Sequence, residues 1–448
     1  MSATTFGATT PKILIVGGGY AGFYTAKKLE KYLGKNEAEV TLVDPLPYMT
    51  YQPFLPEVAA GSIEPRHAVV SLRRHLRKTN IVTGKVTNVN HAKKTATITV
   101  DGLEPYTQTY DHIVVTAGAV SRTFPIPGIA DLAIGLKNIE EAVEVRNRIL
   151  GNFDKAANLP AGPARDRLLT FVVVGGGFAG IEGVAEMRSL ASYLLRYYPT
   201  LTFDDVKFHL IEAMGRIMPE VSQSTSEWVV ANLERRGVNI HLNTQLVSAA
   251  GGKIDLSVGD SFESDLIVWT AGVMANPMVR NTDLPLDDRG RVTAKPSLQV
   301  ANGEDVVEGA WTAGDVSAVP DLSGFGVAGF CVPNAQHAVR QGKLMAKNLI
   351  AAIRGEGIKD YFHKPLGAVA GLGIGVGVYQ WKGLAVKGFP AWIMHRGYHG
   401  LAISMFERKL RVVGGRIANF LYRRDIVGIE ATKEPRSQFE TWASRPKA

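Results

Sequence analysis

Two stretches decide the reading of this chain: Lys12-Ile-Leu-Ile-Val16-Gly17-Gly-Gly19-Tyr20-Ala21-Gly22 near the start, and Phe171-Val-Val-Val174-Gly175-Gly-Gly177-Phe-Ala-Gly180 about 160 residues later. Each is a short apolar, β-rich run, then GxGxxG, then a helix-like stretch (Phe23 to Leu33; Ile181 to Tyr197). One glycine-rich turn alone is a weak signal. Two copies, each between a strand and a helix, predict two dinucleotide folds. The first glycine permits the tight turn, the second lets backbone approach a pyrophosphate, and the third lets helix pack on strand.

Such a fold carries an acidic residue at the end of its second strand, to accept hydrogen bonds from ribose hydroxyls. Val40-Thr-Leu-Val-Asp44 supplies one, and Val206-Lys-Phe-His-Leu-Ile-Glu212 the other, its longer spacing attributed to an insertion around Ala191 to Asp205. Two strand-like echoes follow, ending in Thr116-Ala117-Gly118 and Thr270-Ala271-Gly272, and Ala310-Trp-Thr-Ala-Gly314-Asp315 is a further strand ending in Gly-Asp. The order predicts an α/β protein with two Rossmann-like nucleotide-binding domains, the second inserted in a split first. The first occupies residues 10–120 and 291–355, the second 165–290, and a C-terminal region 360–448. The helical pattern from Glu140 to Phe153 and the Pro-Ala-Gly-Pro stretch at 160–163 read as the connection.

An N-terminal cradle followed by a distant Gly-Asp implies a long cofactor, and FAD fits. Gly17, Gly19, Tyr20, Ala21 and Gly22 would hold its phosphates, Asp44 its adenosine ribose, and Asp315 its ribityl or pyrophosphate end; Thr116, Ala117 and Gly118 would lie beside it. The plainer reading of Asp315 is a cap after a strand. The second copy (Gly175, Gly177, Gly180, with Gly272) then binds the electron donor. Glu212 would bond the ribose 2′-OH and repel a 2′-phosphate, favouring NADH over NADPH, a choice that Arg216 softens. Glu182, in the first turn of its helix, either complements the helix dipole or points at the nicotinamide–flavin junction. Phe330 to Gly342 reads as a loop entering a helix with Pro333 in its first turn, its N-terminus aimed at the flavin pyrimidine ring.

Composition sets the limits. The single cysteine, Cys331, excludes a disulfide framework, a cysteine zinc site, an iron–sulfur cluster ligated by this chain alone and electron transfer through a protein dithiol. It reads as a small buried hydrophobe, and a reducing, cytosol-facing location fits. The polar start, Met1 to Lys12, carries no secretory pattern. No run reaches 18 apolar residues, so no bilayer crossing is expected. The formal charge is +8, and the stretch Trp381 to Arg424 alone holds nine basic residues and one acidic. There Phe406, Leu410, Val413, Ile417, Phe420 and Leu421 form one helical stripe, with Arg408, Lys409, Arg411, Arg416 and Arg423 largely off it and Arg424 on it. This reads as a basic amphipathic element on an anionic membrane surface, with a break at Gly414-Gly415 and no role for nucleic acid. His395 and His399 have helical metal-ligand spacing but no accompanying glutamate, and an interfacial Trp/Tyr/His cluster is the expectation, with no metal.

On Gly17–Gly22, Tyr51-Gln52-Pro53-Phe54-Leu55-Pro56-Glu57-Val58-Ala59-Ala60-Gly61, Gly175–Glu182, Gly314-Asp315 and Ala335-Gln336, the chain resembles the type II, non-proton-pumping NADH:quinone oxidoreductases, two-dinucleotide-domain flavoproteins, over about residues 10 to 350. The resemblance implies FAD at the first site, NADH at the second and a quinone channel reaching the flavin. Gln52, Pro53 and Gln336 would lie at the flavin–quinone end, with Ala335 at the flavin and Glu182 near the nicotinamide; Glu182 and Gln336 are the expected catalytic residues. It also implies a homodimer through the tail and a peripheral position on the cytoplasmic face of the cell membrane. A soluble reductase of a ferredoxin-like acceptor, or a slow-turnover NADH-sensing flavoprotein, would carry the same two cradles. A sulfide:quinone oxidoreductase would need a second cysteine.

Overall fold

The two apolar runs become central strands of two separate parallel sheets in a computed structural model that describes residues 10–428 and 436–443. The polar start of the chain lies mostly outside these residues, as does part of the C-terminal stretch. Two compact units result. The first comprises residues 10–50, Val69–Arg122 and Val273–Leu366; the second comprises Tyr51–Ala68, Thr123–Gly272 and the described residues from Gly367 onward.

The first unit's sheet has the order Gln299–Asn302, Asp305–Thr312, His112–Val115, Lys12–Val16, Glu39–Asp44, Asn80–Thr83, parallel except at the Gln299 edge. Lys12–Val16 sits between two strands, Val16 beside both Val43 and Val115, so four of its five residues are buried. That is why the run lacks polar alternation. Leu14, Val16, Val43, Ile113 and Val115 join one apolar core.

The second unit repeats the plan. Ala133–Gly135, Leu266–Trp269, Thr170–Val174, Lys207–Ile211 and Val238–His241 pair in that order, all parallel. Thr170–Val174 is buried throughout, and Val172, Val174, Ile211, Ile267 and Trp269 form its core. The Leu366–Val378 run, too glycine-rich for a span, enters a small antiparallel sheet of Ala368–Gly371, Gly377–Trp381 and Leu384–Gly388.

Six helices position the site residues: α1 (Tyr20–Tyr32), α2 (Leu55–Ala59), α3 (Phe178–Leu194), α4 (Ala335–Arg354), α5 (Phe389–Ala402) and α6 (Phe406–Tyr422). Among the described residues no helix is long and apolar enough to cross a membrane.

The compact units differ from the sequence-based boundaries in three ways. Tyr51–Ala68 groups with the second unit, Val273–Gly290 with the first, and the tail with the second unit instead of standing alone. The helix Ile139–Ala157, started by an Asn138/Glu141 capping box, is also part of the second unit. The expected break at Gly414-Gly415 does not occur. Helix α6 runs through both glycines because contacts on either side hold it: Val412 is buried, Arg408 donates to the Arg66 carbonyl (2.6 Å) and Asn419 to the Ser62 carbonyl (2.9 Å). Those contacts outweigh the roughly 1 kcal/mol that each glycine costs.

Candidate functional site

The two glycine turns have nearly the same geometry. Gly17 has φ +100° and Gly175 has φ +112°, conformations that favour glycine. A Cβ on Gly22 would stand 1.9 Å from the Gly17 carbonyl oxygen, and one on Gly180 1.9 Å from that of Gly175. At Gly19 and Gly177, by contrast, a Cβ would meet no protein atom within 4 Å. Both precede the first turn of a helix, α1 and α3, whose N–H groups there have no capping side chain. The result in each unit is an open, positively polarised cradle suited to a pyrophosphate.

The carboxylates match as well. Asp44 accepts from the N–H of Gly18 (2.6 Å) with one oxygen and from that of Leu46 (2.7 Å) with the other. Glu212 accepts from Gly176 (2.5 Å) and Met214 (2.7 Å) in the same manner. Each acid is thereby fixed at the rim of its glycine turn with lone pairs left over for a ribose. Burial pushes the Asp44 carboxyl above its ordinary pKa, and the two N–H groups pull it back only in part. The wide spacing before Glu212 reflects a longer helix, 17 residues in α3 against 13 in α1, followed by the turn Phe203–Asp205.

The Thr-Ala-Gly echoes serve these turns. The Thr116 hydroxyl donates to the carbonyls of Val16 (3.1 Å) and Gly17 (2.9 Å), and that of Thr270 to Val174 (2.9 Å) and Gly175 (3.2 Å). The threonines therefore brace the glycine backbone. The glycines that follow, Gly118 (φ +68°) and Gly272 (φ +94°), have open space where a Cβ would be.

In the first unit a cavity of about 760 Å³ is lined by Gly314, Asp315, Asn334, His337, Gln341 and the Asp287–Arg291 loop, among others. It falls in the ordinary range for cofactor sites, about 300–1,000 Å³. The Gly314 N–H donates to the Gln341 side-chain oxygen (2.9 Å), and a Cβ on Gly314 would stand 3.4 Å from that of Ala21. Helix α4 crosses α1 at Gly342, where a Cβ would stand 2.4 Å from the Ala21 carbonyl oxygen. Ala335 and Gln336 open α4, capped by Asn334, whose side chain accepts from the His337 N–H at 2.8 Å. Pro333 precedes that cap and is not in the first turn. Cys331 is buried, and burial pushes its thiol up to about 11.

In the second unit Gln52 and Pro53 form a tight turn leading into α2, and the Gln52 amide donates to the Lys137 carbonyl (3.1 Å). Glu182 is the fifth residue of α3, one turn further in than the sequence reading put it. Its Oε1 accepts from the Gly371 N–H (2.8 Å) and lies 3.0 Å from His395 Nε2. Beside it is a group that sequence reasoning missed. Glu57 of α2, 2% exposed, pairs with Arg396 (2.5 Å) and Arg416 (2.9 Å); Glu186 of α3 pairs with Arg396 (3.0 Å) and Arg424 (3.5 Å). Burial pushes the Glu57 carboxyl up, but Arg396 and Arg416 outweigh it and hold the group below its ordinary value.

Four of the nine basic residues in the tail, Arg396, Arg408, Arg416 and Arg424, are thus turned inward. The inward face of α6 carries Arg408, Val412, Arg416 and Asn419, and its apolar stripe faces outward, with Phe406, Leu410, Ile417, Phe420 and Leu421 all exposed. The rings of His395 and His399 meet edge to face, and no group of three or more metal-ligating side chains is gathered among the described residues.

Two such cradles on one chain define a class, the two-domain nucleotide-dependent oxidoreductases. Residues 11–342 match the family model described as pyridine nucleotide-disulphide oxidoreductase. The chain is 30% identical over 401 residues to a type II NADH:quinone oxidoreductase of Staphylococcus aureus, covering 86% of this chain and 93% of that one. It is 26% identical over 424 residues to a probable NADH dehydrogenase of Dictyostelium discoideum, covering 93% and 90%. Its fold matches that of NDH2 from Plasmodium falciparum, solved in complex with NADH, with a TM-score of 0.85 at 17% identity over 93% of this chain and all of that one. The chain belongs to the pyridine nucleotide-disulphide oxidoreductases and, among them, to the type II NADH:quinone oxidoreductases.

Proposed function

We propose that this protein oxidises NADH by means of bound FAD and reduces a quinone by two electrons, without pumping protons, at a membrane surface. The observation that carries this reading is the duplicated cradle, glycine turn, bracing threonine and rim carboxylate, in a chain with the family membership given above. FAD, when bound, supplies the chemistry that side chains lack, accepting a hydride and passing on two electrons.

The chain's own residues bind and orient. In the first unit Gly17, Gly19, Tyr20, Ala21 and Gly22 take the FAD pyrophosphate, Asp44 its adenosine ribose and Asp315 its ribityl or pyrophosphate end, with Thr116, Ala117, Gly118 and Ala335 beside it. In the second unit Gly175, Gly177 and Gly180 take the phosphates of NADH, and Glu212 its adenosine ribose. With both Glu212 oxygens held by backbone N–H groups, a 2′-phosphate meets a fixed negative charge, so NADH is preferred to NADPH. Glu182 and Gly272 serve the nicotinamide end. Gln52, Pro53 and Gln336 serve the quinone.

The outward apolar stripe of α6, with Phe420 87% exposed, supports a peripheral position on the membrane, whose side we assign as the cytoplasmic face, or a homodimer through the same stripe. Because Arg396, Arg416 and Arg424 are used internally, apolar insertion contributes more to that attachment than the basic count suggests.

The deciding experiment is anaerobic stopped flow: NADH bleaches the flavin, and a short-chain quinone restores its colour. Bleaching without restoration removes the quinone assignment in favour of another acceptor. Co-sedimentation with anionic vesicles tests the surface attachment separately.

A further inference from the structure

The two neighbouring arginines at the end of α6 face opposite ways. Arg424 is buried and pairs with Glu186, whereas Arg423 is exposed. Arg423 has φ +71° with ψ 179°, a backbone conformation that glycine alone takes without strain. The turn ends α6 and sets the Arg423 guanidinium beside the Tyr197 hydroxyl, just past the end of α3 in the same unit. The Tyr197 and Tyr193 hydroxyls are 2.8 Å apart, and the exposed Arg196 guanidinium lies 5.7 Å from the centre of the Tyr193 ring. The Tyr193 hydroxyl first, and Arg423 second, hold the Tyr197 hydroxyl below its ordinary pKa. Among the described residues neither Arg196 nor Arg423 forms an ion pair. Two positive charges and a pair of hydroxyls thus meet at the surface with no acid between them. The negative end of the α3 dipole accounts for Arg196 there, but not for an arginine held in a glycine conformation. Immediately before Arg423, the apolar stripe of α6 ends in the exposed Phe420 and Leu421, followed by the exposed Tyr422.

We propose that Arg196, Arg423, Tyr193 and Tyr197 receive the phosphodiester of an anionic phospholipid, one headgroup for each chain, beside the apolar end of α6. This rests on the surface attachment read above and goes beyond it, since a stripe that inserts among acyl chains does not choose a headgroup. A phosphodiester spreads one negative charge over two free oxygens, and guanidinium groups offer paired N–H donors that match them. One tyrosine hydroxyl donates to the other, which leaves one O–H hydrogen for the phosphate. A choline or ethanolamine head brings a cation beside two arginines with no carboxylate to receive it, so a head of the phosphatidylglycerol kind is preferred. The residue types also suit the depth. Tyrosine rings settle at the boundary of the acyl layer, and arginine stems carry their charge out to the headgroups.

The test uses full-length holoenzyme and co-sedimentation with phosphatidylcholine vesicles, with and without one-fifth phosphatidylglycerol, at constant ionic strength. Arg423→Gly and Arg196→Gln each weaken binding to the phosphatidylglycerol vesicles by about tenfold to a hundredfold, the worth of a charged hydrogen bond, and leave binding to phosphatidylcholine unchanged. Lys409→Gln, which removes the same charge from α6, costs about fivefold at most, as for any cation near an anionic surface. Arg423→Gly also keeps or raises the melting midpoint, because glycine relieves the backbone. Soluble dihexanoyl-phosphatidylglycerol shifts the ¹³Cζ-tyrosine NMR signal that Tyr197→Phe deletes. Equal losses in Arg423→Gly, Arg196→Gln and Lys409→Gln overturn the site, as does a wild type that binds both kinds of vesicle alike. A lower midpoint in Arg423→Gly assigns that arginine to the fold and overturns its place in the site. Inorganic phosphate that displaces the protein from vesicles at matched ionic strength overturns the lipid assignment in favour of a soluble phosphate. A wild type that binds neither vesicle overturns the surface attachment, and the site with it.

Discussion

Replacing Glu57 by Gln tests how the tail is held. The carboxylate is almost wholly buried and serves two guanidinium groups, Arg396 at 2.5 Å and Arg416 at 2.9 and 3.1 Å. The amide keeps the shape and removes the charge. Arg396 retains Glu186 (3.0 Å), but Arg416 keeps only neutral acceptors, the Arg396 carbonyl (2.6 Å) and the new amide oxygen, and becomes an uncompensated charge in a poorly solvated place. Removing one partner of a buried pair costs about 3–5 kcal/mol. With one arginine still paired, the lower end, about 3 kcal/mol, applies. At roughly 2–4 °C per kcal/mol for a unit of this size, the melting midpoint falls by about 6–12 °C. Differential scanning calorimetry at pH 7 reads this, and limited proteolysis shows cleavage within 388–428 that wild type resists. Glu440→Gln is the control, since it and its partner Arg436 are both exposed; its loss costs under about 0.5 kcal/mol. A Glu57→Gln variant that melts together with the control refutes the reasoning. The pH dependence follows the same charge. A carboxyl held below its ordinary pKa stabilises the fold fully above the unfolded value of 4.5 and loses that contribution as pH falls through the lower folded value. Wild type therefore loses stability on acidification below about pH 4.5, and Glu57→Gln loses less.

Gly22→Ala forces a Cβ to 1.9 Å from a carbonyl oxygen and costs at least about 1–3 kcal/mol in thermal unfolding, whereas Gly19→Ala meets no protein atom, melts normally and instead loses FAD on dialysis, seen as lost absorbance. Glu212→Ala lowers kcat/KM for NADH by about tenfold to a hundredfold, the worth of a charged hydrogen bond, and narrows the gap to NADPH in steady-state assays. Phe420→Glu combined with Leu421→Glu abolishes co-sedimentation with anionic vesicles while leaving the melting midpoint within about 1 °C, because both side chains are exposed. Maleimide labels Cys331 far more slowly in the native protein than in urea at pH 8, since about one buried thiol in a thousand is ionised there when its pKa is about 11.

Most of the fold was legible because a parallel strand buried on both faces must be apolar and a phosphate turn must be glycine, and both patterns occur twice. The place of Asp44 and Glu212 beside the glycine turns follows from their position at the strand ends. The threonines at 116 and 270 were found as echoes, but their work, bracing the turn, appears only when Val16, Gly17 and the strand beside them are seen in register. The membership of Tyr51–Ala68 in the second unit was not legible. It depends on Glu57, whose partners lie more than 300 residues away and read in the sequence as a plain basic tail. Net charge cannot distinguish an arginine facing water from one facing a buried glutamate. Likewise the spacing of His395 and His399 does not show their neighbours, Tyr51 and Glu182, which come from distant parts of the chain.

The Tyr51–Ala68 segment leaves the first unit and returns to it through two short strands, Tyr48–Thr50 and Val69–Ser71, paired antiparallel with Thr50 opposite Val69. Its two ends are therefore clasped side by side, as in a cassette fitted into a slot. Changes in length or sequence between those ends leave the register of the first unit's sheet untouched. An engineer can therefore graft such a segment from a relative without displacing the strands of the first unit.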